Sequence, residues 1–406
     1  KKTLAEAVPT QVVEIGYPSK AEKKDEETLF AKGGLQSKVT KLSDLPKNRL
    51  IWTNDNLVAL KTLLDEKDPT SGEYKYRNKI DLIYIDPPFM VQNDFVAENS
   101  IDIEVDEEEG VMSVKEPTII ETIAYKDTWQ NGLDSFLQMM RERLELRKEL
   151  LAPTGIIFVQ LDWHAAHYVK VLMDELFDYS NFITEVIWHY SDNFQGNVKG
   201  FANNHQIIFV YQNSQQAKMD RVSIDLGKVV KRDRRVWDKN LGKIVAGRDE
   251  SGNIIYDEYT TKYADNVWDI GQSAVTKDKS GEFTGYPTQK PLELLRRVIK
   301  SSCPKGGAIL DAFMGSGTTC EAAELLADEL NCTWIGIDNS KFAIHTARKR
   351  LIELNGKPKD KKGEGDYKDR PFTVENMRYY QLGVKMDAIQ IGKQADAYRQ
   401  AIIELF

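Results

Sequence analysis

Short, almost wholly apolar strands alternate along this chain with longer amphipathic segments, and that alternation leaves few folds open. "IDLIYIDPPF" (80–89) is the clearest of them. An apolar run of this length reads as a strand buried on both faces. It stops on Asp-Pro-Pro, because neither proline can donate a ladder hydrogen bond. Around it the sequence places the strand "RLIWTND", a helix over "NLVALKTLLDEK" with Leu57, Leu60, Leu63 and Leu64 on one face, and a long helix over 133–151. "GIIFVQLD", "ITEVIWHY" and "QIIFVYQ" follow as strands, with a helix over "AAHYVKVLMDELF". A second block repeats the scheme: helix "KPLELLRRVIKSS", strand "GAILDAF", a glycine turn opening one helix over "GSGTTCEAAELLADEL", strand "TWIGID", helix "FAIHTARKRLIEL". The expected fold is α/β, a doubly wound, mostly parallel sheet of Rossmann type.

The division that follows has five parts. Residues 1–47 form a charged N-terminal arm, and 48–211 one half of the sheet domain. Residues 212–285 are a polar, basic, inserted target-recognition region. Residues 286–354 form the second half of the sheet domain, and 355–406 a linker and C-terminal extension.

Composition matters at three points. Net charge is −8, yet residues 217–248 hold ten Lys or Arg against four Asp, while 91–109 hold eight acidic side chains and no Lys or Arg. Polyanions respond to the local field and not to the chain total. The basic segment therefore offers Lys231, Arg232, Arg234, Arg235, Lys239, Lys243 and Arg248 to phosphates, with DNA the expected partner. The three cysteines, Cys303, Cys320 and Cys332, show neither metal-ligand spacing nor a disulfide framework, which points to a reducing, cytoplasmic setting and to no metal. No run of about 18 apolar residues suggests a membrane span, and no apolar stretch after Lys1 and Lys2 suggests a leader.

Two turns carry the chemistry. In "AILDAFMGSGTT", Gly315 and Gly317 leave backbone bare at a helix N-terminus, where a ligand can lie close. A third glycine is missing, and so is a P-loop lysine. "TWIGID" ends on Asp338, about twenty residues on, where nucleotide folds hold ribose hydroxyls. S-adenosylmethionine fits this pair of features better than ATP or NAD. Asp311 stands at the strand end to hold an ammonium, and Phe313 to flank an adenosyl group. In the other turn, Asp86 with a nearby carbonyl offers two in-plane acceptors to a planar exocyclic amine, and Phe89 offers a stacking face. A base reaching that turn must leave its duplex stack, at roughly a few kcal/mol. Trp188, His189 and Tyr190 close a neighbouring strand, where they either help to hold such a base or pack in the core.

Together these residues resemble the amino-group DNA methyltransferases of the β permutation, in which the D-P-P-[YF] motif precedes the recognition region and F-x-G-x-G follows it. "DPPF" at 86–89 and "DAFMGSGTT" at 311–319 have that order. "YKDTWQNGLDSFLQMMRERL" and "WHYSDNFQG" are similar to segments of type III modification subunits. The resemblance implies S-adenosylmethionine as cofactor, methyl transfer at Asp86-Pro87-Pro88-Phe89, and contacts from Asp55, Asp86, Thr288, Lys290, Pro291, Asp311, Phe313, Gly315, Ser316, Gly317, Thr318, Asp338 and Asn339. Of these, Thr288, Lys290 and Pro291 would lie near the methionine part and Asp55 near the adenine. Asp at the first motif position, where N4-cytosine enzymes usually carry Ser, implies adenine N6. A homodimer or a restriction partner is consistent with the family. The alternatives are an N4-cytosine or RNA methyltransferase of the same fold, or a non-catalytic DNA-binding subunit.

Overall fold

The computed structural model describes residues 7–8, 10–16, 45–88, 95–100, 119–125, 132–190, 192, 200–272, 282–354 and 370–377. The first block contains β1 (Gln11–Gly16), β2 (Asn48–Trp52), α1 (Asn56–Asp65), β3 (Ile80–Ile85), β4 (Phe95–Ser100) and β5 (Ile119–Tyr125). It continues through α2 (Leu133–Leu150), β6 (Leu151–Leu161), α3 (Ala166–Phe177), β7 (Phe182–His189) and β8 (His205–Gln212). The middle contributes β9 (Ser223–Asp233), β10 (Arg235–Asp238), β11 (Lys243–Ala246), β12 (Tyr256–Tyr263) and β13 (Val267–Asp269). The last block holds α4 (Leu292–Ser302), β14 (Ala308–Asp311), α5 (Thr318–Leu325), α6 (Ala327–Leu330), β15 (Thr333–Asp338), α7 (Lys341–Glu353) and β16 (Phe372–Asn376).

Ten of these strands form one sheet in the order β1-β16-β2-β15-β14-β3-β6-β8-β7-β13. From β16 across to β6 every neighbouring pair is parallel; β1 and β8 pair antiparallel with their neighbours. The sheet is mixed but mostly parallel, as the strand–helix alternation requires. Alternate residues of β3 serve opposite cores. Ile83 and Ile85 pack with α1, α2 and α3 residues such as Leu60, Met140 and Val169, while Leu82 and Tyr84 pack with Leu295, Ala322 and Ala347 from the other helices. Burying each such Leu or Ile contributes about 1.5–3 kcal/mol, so two covered faces explain why the central strands are largely apolar.

Three segments depart from the sequence reading. The arm and the tail each supply a strand: β1 pairs with β16, and β16 lies in parallel beside β2. The buried pair Arg49–Glu375 explains why the polar "FTVEN" enters a sheet. Glu375 accepts from the Arg49 guanidinium at 2.7 and 2.6 Å, and Glu66 accepts from it at 2.7 Å. Strands β4 and β5, which the sequence reading did not place, pair antiparallel. The helix expected over 318–330 breaks at Leu326 into α5 and α6.

The middle region forms two small sheets of its own, β9 with β12 and β10 with β11, before β13 rejoins the main sheet beside β7.

A candidate methyl-donor and amine site at the carboxyl rim

Because β2, β15, β14 and β3 are parallel neighbours, their carboxyl ends share one rim. Register sets Asp311 beside Tyr84 and Gly336, and Asp338 beside Trp52. Asp338, Asp311 and Asp86 therefore stand at the ends of three successive strands. They line one cavity of about 590 Å³, together with Asp55, Gly315 and Ser316. Two turns far apart in sequence thus meet where ligands of open α/β sheets bind.

Asp338 shapes the glycine turn. Its Oδ2 accepts from the Gly315 amide at 2.9 Å and its Oδ1 from Ser340 at 2.8 Å. A carboxylate has about four lone-pair sites, so acceptor capacity remains for hydroxyls. Gly315 (φ 52°) and Gly317 (φ 78°) lie in the left-handed region. A Cβ on Gly317 would come within 2.6 Å of Ala347, so that position also needs glycine for space. From below, Arg350 of α7 donates to the Ser316 carbonyl at 3.2 Å and to the Thr318 hydroxyl at 2.9 Å, and pairs with Glu321.

Asp311 is buried. It accepts from the Thr319 hydroxyl at 2.5 Å and the Phe313 amide at 3.0 Å. Burial pushes its carboxyl up to about 7, with Asp86 and Asp338 adding repulsion. Burial likewise raises Asp338 to about 6, against the pull of its backbone donors. Two of Asp311's lone pairs are thus spent inside the protein, which narrows the role of holding a ligand ammonium that the sequence suggested for it.

Asp86 is raised by burial and drawn back by Lys290, whose Nζ lies 2.5 Å from Oδ2. Its Oδ1 is buried with no hydrogen-bond partner among the described residues. An acceptor left in that state costs about 1–3 kcal/mol, so the structure keeps an unmet demand for a donor here. Pro87 and Pro88 line the same cavity, as do Thr288, Lys290, Phe313, Thr318 and Asn339. Pro291 and Gly317 cap α4 and α5 and do not line it. Phe89 lies outside the described residues.

The residues fit S-adenosylmethionine. A bare glycine backbone faces a helix N-terminus, one carboxylate stands beside it for ribose hydroxyls, and a second, orphaned one stands where an amine would approach. Sequence reasoning missed several members of this site. Arg143 donates to Asp55 at 2.6 Å and to Asn56 at 2.6 Å, and Asn56 in turn donates to the Ala312 carbonyl at 2.6 Å. This chain ties α1 and α2 to the strand end that carries Asp311. Tyr286 and Gln289 also line the cavity. Arg147 sits fully buried 5.1 Å from the Phe313 ring centroid, without a hydrogen-bond partner among the described residues, and burial lowers it to about 9. Arginines read as polar surface in a helix pattern; only packing reveals that these face inward.

Of the two roles open to Trp188 and Tyr190, their surroundings match core packing: both are buried, packed edge to face at 5.3 Å, and the Trp188 indole donates to the Ile270 carbonyl at 2.8 Å. The basic field is weaker than the 217–248 window implied. β12 brings Asp257 and Glu258 against β9, where they pair with Arg234 at 2.6 Å and Lys231 at 2.9 Å. Over 217–265 there are eleven Lys or Arg against nine Asp or Glu.

Residues 80–349 match the family model described as DNA methylase. The chain belongs to the N6/N4 DNA methylase family. Members transfer a methyl group from S-adenosylmethionine to an exocyclic amine of DNA. The Type II methyltransferase M.EcaI of Enterobacter cloacae is 26% identical over 396 residues, covering 84% of this chain and 77% of that protein. The StyLTI Mod subunit of a Salmonella typhimurium type III restriction-modification enzyme is 24% identical, covering 70% of this chain. The chain spans about half the length of that subunit, 50%. Among solved structures, the M1.HpyAVI–SAM complex covers 74% of this chain and 98% of its own, with a TM-score of 0.41 and 18% identity.

Among the described residues, no helix is long and apolar enough to cross a membrane.

Proposed function

We propose that this DNA methylase acts on the N6 amine of adenine, at the cavity where Asp86 and the Gly315–Gly317 turn meet. The observation that carries the proposal is the orphaned Asp86 Oδ1 in a wall of the cavity that also contains that turn. Bound S-adenosylmethionine supplies an already activated methyl group, so no protein nucleophile is required. The residues' task is positioning and electrostatics. Asp338 and the bare turn hold the nucleoside end. Asp86 accepts one N–H of the amine and turns the nitrogen lone pair toward the methyl carbon. As the N–C bond forms and the C–S bond breaks, the surplus proton leaves toward Asp86, whose raised affinity suits it as acceptor. Asp at this position, where Ser is usual for N4-cytosine members, supports adenine.

Residues 212–285 are the natural reader of the target. The hairpin of β10 and β11 stands exposed, with Trp237 and Ile244 paired across it. Arg232, Lys239 and Lys243 make no ion pair among the described residues and remain available to phosphates. The name of the type III relative suggests a restriction partner, and we extend that setting to this chain.

The test uses Asp86→Ala with tritiated S-adenosylmethionine and duplex DNA, followed by digestion to nucleosides. The wild type should yield N6-methyladenine. The variant should bind the cofactor normally and transfer at least about 10²-fold more slowly. Label on cytosine, or an active Asp86→Ala, would overturn the assignment.

A further inference from the structure

The sequence reading placed Lys290 beside the methionine part of the cofactor. The structure gives its ammonium another neighbour. Lys290 is buried, its Nζ lies 2.5 Å from Asp86 Oδ2, and it also donates to the Thr288 carbonyl at 3.1 Å. That curled path needs an unusual backbone. Thr288, a β-branched residue, sits at φ 63°, a conformation that side chains of its type adopt only when the surroundings impose it. The loop is tied from several directions. Gln289 accepts from the Thr284 amide and hydroxyl at 3.1 and 2.5 Å and donates to the Glu282 carbonyl at 2.6 Å. The Lys290 carbonyl accepts from Thr318 at 3.2 Å, which joins the loop to the first turn of α5.

The two oxygens of Asp86 are therefore unequal. Oδ2 is held by an ammonium that also donates to the Thr288 carbonyl, and Oδ1 has no hydrogen-bond partner among the described residues. An ionised carboxylate free to rotate would present either oxygen, or swing to satisfy both. We propose that Lys290 is a positioning residue for Asp86: it clamps Oδ2, fixes the carboxylate plane and reserves Oδ1 as the single acceptor for one N–H of the target amine. This rests on the reading of Asp86 given above. It gives the strained loop at 286–290 a reason, because the loop carries the clamp while its other end touches the cofactor turn. It also accounts for a buried lysine in a site that binds a cationic donor. The ammonium is neutralised by Asp86, so the pair adds little net charge to the cavity.

The clamp has a second consequence. Lys290 opposes the effect of burial on the Asp86 carboxyl, and so keeps it ionised at lower pH. Asp311, the titratable neighbour on the next strand, acts in the opposite sense, as carboxylates repel.

The experiment compares Lys290→Met, Lys290→Arg and wild type in steady-state methylation from pH 5.5 to 9, with S-adenosylmethionine affinity measured separately by calorimetry. For Lys290→Met we expect kcat to fall by about 10²-fold at neutral pH, as for a misaligned reacting group. The acid limb of the profile should move up by about one pH unit or more as the carboxylate loses its cation. Cofactor affinity should change by no more than about 3-fold (under 1 kcal/mol at 1.4 kcal/mol per decade). Lys290→Arg keeps the charge and should hold the acid limb near its wild-type place. The inference fails if Lys290→Met loses cofactor affinity while its pH profile stays put, since that is the signature of a methionine contact. It fails equally if kcat is unchanged. Should Lys290→Met not fold, the Arg variant decides alone: a shifted acid limb despite retained charge would refute the clamp. An inactive Asp86→Asn beside an unaltered Lys290→Met sinks only the role of Lys290, whereas an active Asp86→Asn sinks the reading of the amine site itself.

Discussion

Asp311→Asn should make the ligand-free protein more stable at pH 8, and by less than about half as much at pH 5. In the wild type this carboxyl is buried, and burial raises it from 3.8 to about 7. The sign follows from linkage. A folded-state value above the unfolded one means that the native state binds the proton more tightly. The associated stability is fully present below about pH 4 and is lost as pH rises through about 7. Three decades of affinity at 1.36 kcal/mol each correspond to about 4 kcal/mol withheld from the native state at pH 8. Asn is close to isosteric. Its Oδ1 can accept from the Phe313 amide, and its Nδ2 can donate to Thr319, whose hydroxyl turns round to accept. Allowing for relaxation around a buried ion, a gain of about 2 kcal/mol is expected. The assay is urea unfolding of both proteins at pH 5 and pH 8, with midpoints and slopes compared. A variant less stable than wild type at pH 8, or a gain of equal size at both pH values, would refute the reasoning. The first outcome would mean that the hydrogen bonds outweigh the buried charge, the second that the charge is absent.

Two further perturbations test other levels of the structure. Glu375→Ala leaves the Arg49 guanidinium buried with part of its pairing gone, and should cost about 3–5 kcal/mol of unfolding free energy in a thermal or urea titration; a loss below about 1 kcal/mol would mean that β16 does not hold the sheet edge. Trp237→Ala on the exposed hairpin should weaken duplex DNA binding by about 1–3 kcal/mol in fluorescence anisotropy if the indole meets bases, with cofactor affinity unchanged; equal affinity at matched salt would remove the hairpin from the DNA interface.

How much of this was readable in one dimension differs by element. The double winding of the sheet was legible because both of its faces are covered, which makes strands such as Ile80–Ile85 apolar at every position but Asp81. The two chemical turns were legible because prolines after Asp86 and glycines around Ser316 leave few backbone choices. β1 and β16 were not, since their polar residues are tolerated only through pairings such as Arg49 with Glu375, 326 positions apart. The exposed-looking arginines of α2 were equally silent: Arg143 and Arg147 have ordinary helical spacing, and only packing against Asp55 and Phe313 turns them toward the site.

The sequence by itself determined which local shapes were possible: where a strand must stop, where backbone must be bare, where a carboxylate stands at a turn. These are consequences of missing donors and missing Cβ atoms, and they act over a few residues. The tertiary structure alone decided that Asp86, Asp311 and Asp338 would crowd one rim, that Lys290 would hold one oxygen of the first, and that the other would find no donor among the described residues. Burial and the fields of neighbouring charges set those properties, and neither exists until strands more than two hundred residues apart lie side by side.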